Sequence, residues 1–391
     1  MKIGDICTKI CSGGTPTSSI KEYYNGNIPW LNTKEVCFNR VYNTEKKITQ
    51  LGYESSAAKL IPSNSVIVAM YGATAAKCCI NKIPLTTNQA CCNLIIDEAK
   101  GDYNFIYYYI CYKYNELLSL TNGAAQQNLN TQIIKDFEIP SLSLEKQKTI
   151  AAVLSALDDK IEVNRAINKN LEATAQAIFK SWFVDFEPFG GVMPADWSLC
   201  SLDECCSLIA RGITPKYDDQ SVDFVINQKC IRNHSLDLKL SRKHNSKVPE
   251  NKNLHYGDIL INSTGQGTLG RTAQVIFTPN NLTVDSHITI VRPKYDLLIE
   301  YLGYLITSKE DDFVAMEQGS TGQTELPRER VKSYSIILPS EEKLDAFQKI
   351  TKPILKKMYI NQVENQRLAA IRDALLPKLM SGKIDVSQVK I

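Results

Sequence analysis

The sequence predicts an α/β protein: two mixed α/β domains separated by two long helices that pair as an antiparallel coiled coil, the halves of the chain forming a pseudo-twofold internal repeat. Three observations predict this. A helical stripe runs without interruption through 144–186, the same stripe returns 197 residues later, and the segments ahead of the two stripes share an order of motifs.

In the first stripe Ile150, Leu154, Leu157, Ile161, Asn164, Asn168, Leu171, Ala175, Ile178 and Trp182 recur at steps of three and four, with no Pro or Gly between Leu144 and Phe186. About 39 helical residues at about 1.5 Å each span roughly 58 Å, the length of a spacer or coiled-coil arm. The second stripe is Phe347, Thr351, Ile354, Met358, Asn361, Asn365, Leu368, Arg372, Leu375 and Leu379, and both central asparagines return with it. Buried Asn costs stability and fixes register where it meets another Asn. Repeated units associate about twofold axes, which sets these helices antiparallel, Asn164 against Asn365, Asn168 against Asn361 and Leu157 against Arg372.

The chain divides into a first domain (1–141), the first long helix (142–187), a second domain (188–338), and the second long helix with its tail (339–391). In the first domain SGGTPT (12–17) is a turn, IPWLNTKEV (28–36) a strand with Lys34 and Glu35 at its exit, and PSNSVIVAMYGAT (62–74) a turn and buried strand. A helix is expected over 104–120, a polar loop over 121–130 and a closing strand over 136–140. The joint EPFGGVMPADW (187–197) restarts the order: RGITPK (211–216) replaces SGGTPT, GDILINSTGQGT (257–268) replaces NSVIVAMYGAT, and GSTGQTEL (319–326) replaces GAAQQNLN. Offsets drift only between 193 and 199, as a duplication with small loop insertions requires.

Net charge is +2 over 1–141, −1 over 142–187, −2 over 188–338 and +4 over 339–391, so total charge alone does not announce a nucleic acid. The longest apolar runs fall short of a membrane span and the first ten residues lack a secretory core, which points to the cytoplasm. The 12 cysteines occur singly or as adjacent pairs, without C-x-x-C spacing and away from the four histidines; buried reduced thiols are the expectation, not a zinc site.

Catalytic motifs do not emerge. Gly265-Gln-Gly267-Thr-Leu-Gly270 matches G-x-G-x-x-G, yet the strand-like RTAQVIF (271–277) follows where a helix would have to start, so a glycine hairpin turn is predicted. There is no P-loop, no Pro-Pro for a DNA amino-methyltransferase tetrapeptide, and E-x-K at Glu98 to Lys100 lacks the Pro-Asp of a metal nuclease. A non-enzyme is predicted, with no metal and no cofactor of its own.

The helix-end motifs FKSWFVDFEPF (179–189) and LLPKLMSGKIDV (375–386), with SGGTP (12–16) and IPW (28–30), resemble the specificity subunits of type I restriction-modification systems. The similarity covers essentially the whole chain. It implies two target recognition domains, each reading one half of an asymmetric bipartite site in double-stranded DNA, and helices that set the spacer. It also implies docking of two methyltransferase subunits, which bind S-adenosylmethionine, and of translocating restriction subunits that cleave. Half-sites about one helical turn apart, roughly 34 Å, would suit such readers.

Base edges are read by side chains that pair donors with acceptors, Arg for guanine and Asn or Gln for adenine. The DNA-binding candidates in the first domain are Lys34, Tyr71, Lys77, Gln126, Gln127, Asn128 and Asn130; in the second they are Arg211, Lys216, Gln228, Lys229, Gln266, Arg271, Gln323, Arg328 and Arg330. Trp182, Phe183 and Phe186 on the first helix, and Leu376, Leu379 and Met380 on the second, are candidates for partner binding, or else tie the helices to their domains. The competing reading is a coiled-coil scaffold that binds only proteins, which would leave both polar-loop domains without a role.

Overall fold

The computed structural model describes residues 1–122, 128–319 and 324–386. They form two compact units, Met1–Glu162 with Asn365–Ile391, and Val163–Glu364. Each long helix contributes one part to each unit.

Unit one is built on a five-stranded sheet in the order Cys7–Ser12, Cys91–Ile96, Val66–Ala69, Cys78–Asn81 and Asn39–Val41. Its inner strands are covered on both faces, so they read as unbroken runs of Val, Ile, Cys and Ala rather than alternating. This accounts for the adjacent cysteine pairs: Cys78, Cys79, Cys91 and Cys92 serve as small apolar residues where neighbouring strands press close. Burial pushes the Cys91 thiol up to about 12, so it stays protonated and unreactive. A second, three-stranded sheet runs Lys46–Ile48, Tyr24–Leu31, Thr86–Thr87. The helical stretch after the sheet is two helices, Tyr103–Tyr112 and Tyr114–Ser119.

Unit two repeats this plan. Cys206–Arg211, Ile288–Pro293, Ile259–Asn262 and Thr272–Gln274 form its main sheet, and Arg242–His244, Asp223–Ile226 and Leu282–Val284 the smaller one. In both small sheets the central strand is antiparallel to one neighbour and parallel to the other. The duplication persists bond by bond in the backbone. Gly13 N donates to Cys91 O as Gly212 N does to Ile288 O, and Asn88 N donates to Leu31 O as Asp285 N does to Ile226 O.

The expected closing strand at 136–140 is a short extended stretch laid against the chain start: Glu138 bridges Lys2, Ile3 N donates to Phe137 O and Ile139 N to Met1 O. A short helix, Thr131–Asp136, precedes it, started by Asn130, whose side chain accepts from Ile133 N at 2.9 Å. In unit two the corresponding segment, Ser335–Leu338, pairs with Ser198–Ser201.

The long helices run Leu144–Phe183 and Glu341–Met380, the second unbroken through Pro353 and Pro377. The first stops before Phe186, whose φ of 54° turns the chain out of the helix ahead of Gly190 and Gly191. Within unit one Ile150, Ala151 and Leu154 share a core with Leu375, Leu379 and Met380. Asp158 accepts from Arg372 at 2.6 Å and from Tyr108 OH at 2.5 Å. The expected partner of Arg372 was Leu157; the carboxylate one position on takes that place, since a guanidinium is satisfied by charge and not by a leucine. Within unit two Phe179, Phe183, Leu355 and Phe347 share a core, and Asn361 Nδ2 donates to Asn168 Oδ1 at 2.8 Å. Asn168 Nδ2 donates to Met358 O and Asn164 Nδ2 to Glu364. Residue numbers rise on one helix as they fall on the other, so the segments are antiparallel in each unit.

Candidate nucleic-acid interface

In each unit four loops meet at the ends of the strands, and backbone bonds at duplicated positions hold them. The first is a single 3-10 turn after the central strand of the small sheet, Thr33–Glu35 or Gln228–Cys230. Asn32 and Asn227 cap these turns by accepting from the backbone N–H of Lys34 and Lys229, which makes those two lysines structural equivalents. The second is the tip of the central hairpin, 70–77 or 263–271. Gly72 and Gly265 there hold φ of 84° and 99°, so a side chain at either would be strained.

Third comes a loop turned by Asn88 or Asp285, whose side chains accept from Ala90 N and His287 N. Fourth is a segment tied to the hairpin by Leu129 N donating to Met70 O at 3.0 Å, and by Leu326 N donating to Ser263 O at 2.7 Å. Met70 N and Ser263 N in turn donate to Ala90 O and His287 O.

Side chains knit the loops further. In unit one Thr74 Oγ1 donates to Thr33 O at 2.8 Å. In unit two Gln228 Nε2 donates to Thr264 Oγ1 at 2.7 Å, and Thr264 Oγ1 lies 2.8 Å from His287 Nδ1. Arg211 reaches across two loops, donating to Ser286 O at 3.2 Å and Leu326 O at 2.8 Å. Burial pushes its guanidinium down, with Glu325 opposing at 3.6 Å. Arg271, partly exposed, donates from one nitrogen to Gly267 O, and Gln266 on the same tip is exposed.

The G-x-G-x-x-G run is this hairpin tip, between Ile259–Asn262 and Thr272–Gln274. Gly270 has φ of 85°, and a Cβ there would meet Val314 at 2.4 Å. The glycines serve packing and turn geometry.

The sequence candidates therefore fall into groups. Lys34, Tyr71 and Lys77 come together in unit one, as do Gln228, Lys229, Gln266 and Arg271 in unit two, with Lys77 and Arg271 both at the foot of the tip. Asn128 is exposed beside the first group. Gln126, Gln127 and Gln323 lie outside the described residues. Asn130, Arg211 and Gln228 are held by the protein itself, as a helix cap and as loop ties. Each bonds to the protein's own backbone or side chains, which gives it a positioning role. Lys216 stands apart on the small sheet's side, and exposed Arg328 and Arg330 lie on the short helix Arg328–Lys332, Arg328 paired with Glu329. Exposed Gln89 and partly exposed Ser286 and His287, at the tips of the third loops, escaped sequence reasoning. Their only signal was the offset of 197 between Asn88 and Asp285.

The apolar residues at the helix ends follow the second of their two readings, ties between helix and domain. Phe183 is 4% exposed among Trp197, Tyr301 and Phe347, while Leu379 and Met380 are 3% and 6% exposed in the unit-one core. Trp182, Phe186 and Leu376 are half-buried against the same cores. These side chains fasten helix to domain; the three buried ones present no surface to a partner, because each is consumed by its own unit.

Fold and loops together define an internally duplicated protein that offers two loop clusters of one construction and different side-chain chemistry. The chain belongs to the family of the type I restriction modification DNA specificity domain, whose model matches residues 1–173 and 194–373. It is 27% identical to the type I restriction enzyme MjaIX specificity subunit of Methanocaldococcus jannaschii, over 99% of this chain and 94% of that protein. It is also 27% identical to the HindI specificity subunit of Haemophilus influenzae, over 63% of this chain and 70% of that one. The crystal structure of a type I restriction-modification S subunit from M. genitalium has the same fold, with a TM-score of 0.61 at 17% identity over 97% of this chain and 95% of the other.

Proposed function

We propose that this chain is the DNA-reading, non-catalytic subunit of a type I restriction-modification complex, and that each loop cluster reads one half of an asymmetric bipartite site. The domains at 1–141 and 188–338 act as the readers, and the helices set the spacer between half-sites. Two methyltransferase subunits carrying S-adenosylmethionine dock on the helices, and restriction subunits complete a cytoplasmic assembly. Among the described residues no helix is long and apolar enough to cross a membrane.

One observation carries the reading: the same four-loop scaffold is built twice, yet its tips differ, Tyr71 and Lys77 against Gln266 and Arg271. A scaffold preserved in backbone bonds and varied in outward side chains is what two readers of different half-sites require. A coiled-coil scaffold for proteins would have no use for it.

The test is the methylated motif of a host carrying the Gln266→Ala variant, read by methylome sequencing. One position in one half-site relaxes and the other half-site stays as it was. Equal weakening at every site with an unaltered motif would mark Gln266 as a backbone contact, and loss of nothing would remove it from the interface.

A further inference from the structure

We infer that the outer antiparallel strand of the small sheet in each unit is the phosphate-binding element, carried by a cation pair at duplicated positions: Lys46 and Lys47 in unit one, Arg242 and Lys243 in unit two. The inference rests on the DNA-reading function proposed above, and assigns the share of binding that is independent of base sequence.

Strand registers establish the equivalence. Lys46 and Lys47 lie opposite Trp30 and Pro29, and Arg242 and Lys243 opposite Val225 and Phe224. The offset is 196 on the edge strand and 195 on its partner. Both strands, Lys46–Ile48 and Arg242–His244, are outer strands of their sheets, the second bordered by 216–218, where Tyr217 bridges to His244 and Asp218 N donates to Lys243 O. Side-chain content has diverged around them, Ile48 facing Ile28 where His244 faces Asp223. The two positive charges have not. Adjacent strand residues leave opposite faces, so each pair spreads its charge over both faces of the outer strand, an arrangement suited to a row of phosphates and not to one enclosed anion.

The charges are available. Lys46, Lys47 and Arg242 are exposed, and among the described residues none of the four is ion-paired with a carboxylate, whereas Lys34 holds Glu45, Arg40 holds Asp159 and Arg292 holds Asp258. Lys243 Nζ donates to a backbone carbonyl, that of Asp219, at 3.2 Å. The Arg242 guanidinium lies 3.3 Å above the centre of the Tyr217 ring, which orients it and leaves its in-plane N–H donors for an incoming oxygen.

Charge is also segregated along the chain. Residues 229–252 hold 7 Lys and Arg against 2 Asp and Glu, while the rest of 188–338 holds 9 against 16. An acidic domain would repel DNA everywhere except along this stretch. The edge adjoins the reading loops: Asn227, which caps the Lys229 turn, also donates to Leu240 O at 2.8 Å, and Glu45 N donates to Glu35 in the Lys34 turn. Charged residues on an edge strand also prevent sheet-to-sheet pairing. That role has a different signature, aggregation on neutralisation, so the two are separable.

The experiment uses the subunit with its methyltransferase partner and measures binding to a labelled random-sequence 40-base-pair duplex across a range of NaCl. The double variants are Lys46→Gln with Lys47→Gln, and Arg242→Gln with Lys243→Gln; Lys46→Arg with Lys47→Arg is the charge-retaining control. Each neutralised pair is expected to lower the slope of log K against log salt by about 1.8, up to ~60-fold weaker binding at 0.1 M salt, with the methylated motif unchanged. The arginine control keeps the wild-type slope. A wild-type slope in the neutralised variants, with or without aggregation, or a changed motif, overturns the edge assignment while the DNA-reading function stands. A wild-type complex that shows no salt-dependent binding to the duplex overturns both.

Discussion

Replacing Asn168 by leucine strips the buried Asn361 of its hydrogen-bond partner. Asn361 is 0% exposed, its Nδ2 donates to Asn168 Oδ1 at 2.8 Å, and its own Oδ1 already has no partner among the described residues. After Asn168→Leu both ends of a fully enclosed amide are unsatisfied, a penalty of about 2 kcal/mol. For a unit of this size that lowers the melting temperature by about 4–8 °C. The double variant Asn168→Leu with Asn361→Leu removes the stranded amide altogether and buries apolar surface instead. It is expected to be at least as stable as the wild type, so a double-mutant cycle gives a coupling above about 1 kcal/mol. Calorimetry and urea unfolding of the four proteins measure it. If Asn168→Leu melts with the wild type, or the double variant loses the sum of the single losses, the asparagines are not paired and the antiparallel register in unit two is wrong.

Three further outcomes are expected. Arg372→Met leaves the carboxylate of Asp158, 13% exposed, with Tyr108 as its remaining hydrogen-bond donor among the described residues, and should destabilise unit one by about 1–3 kcal/mol in urea unfolding; Asp158→Asn in the same background should recover part of it. The His234 Nδ1 to Glu310 Oε1 contact, 3.2 Å, raises the imidazole above 6.5 against burial. Burial would raise Glu310, but its bonds from His234 and Thr272 hold it below 4.5. The raised histidine stabilises fully below about pH 6.5 and loses that contribution as pH climbs through its folded value; the lowered glutamate stabilises above about 4.5 and loses its contribution as pH falls. Unit two should therefore melt slightly lower at pH 8 than at pH 6, by no more than about 0.5 kcal/mol at this exposure, and His234→Gln should flatten the difference. Arg211→Ala releases the loops ending at Ser286 and Leu326, so methylation in cells should weaken and relax across the second half-site, with the first half-site unchanged.

How far the chain could be read without coordinates follows from which interactions are local. Helical periodicity is a local property, so 144–183 and 341–380 stand out from spacing alone, and the returning asparagines carried the duplication with them. The hairpin at 265–270 was legible for the same reason, since glycine spacing and the strand-like residues after it are neighbours in the chain. The short helix Thr131–Asp136 was not legible, because it is started by one capping side chain, Asn130, at the end of a run that reads as polar loop. Phe183, Leu379 and Met380 left docking and domain anchoring both open, because apolar clusters at helix ends look the same in sequence whether a partner or the protein's own domain covers them.

The order of the chain alone determined the class of molecule: a doubled α/β reader with paired helices, because periodicity and repetition survive in one dimension. Tertiary structure decided which polar residues are free to act. Arg211, Gln228 and Asn130 have the chemistry of base readers but form bonds that hold loops, while Lys46, Lys47, Arg242 and Lys243 are unremarkable in sequence and gain meaning only from their shared place on an outer strand. A side chain's composition sets what it can bond to, but its availability depends on neighbours brought from distant parts of the chain, and only folding brings them.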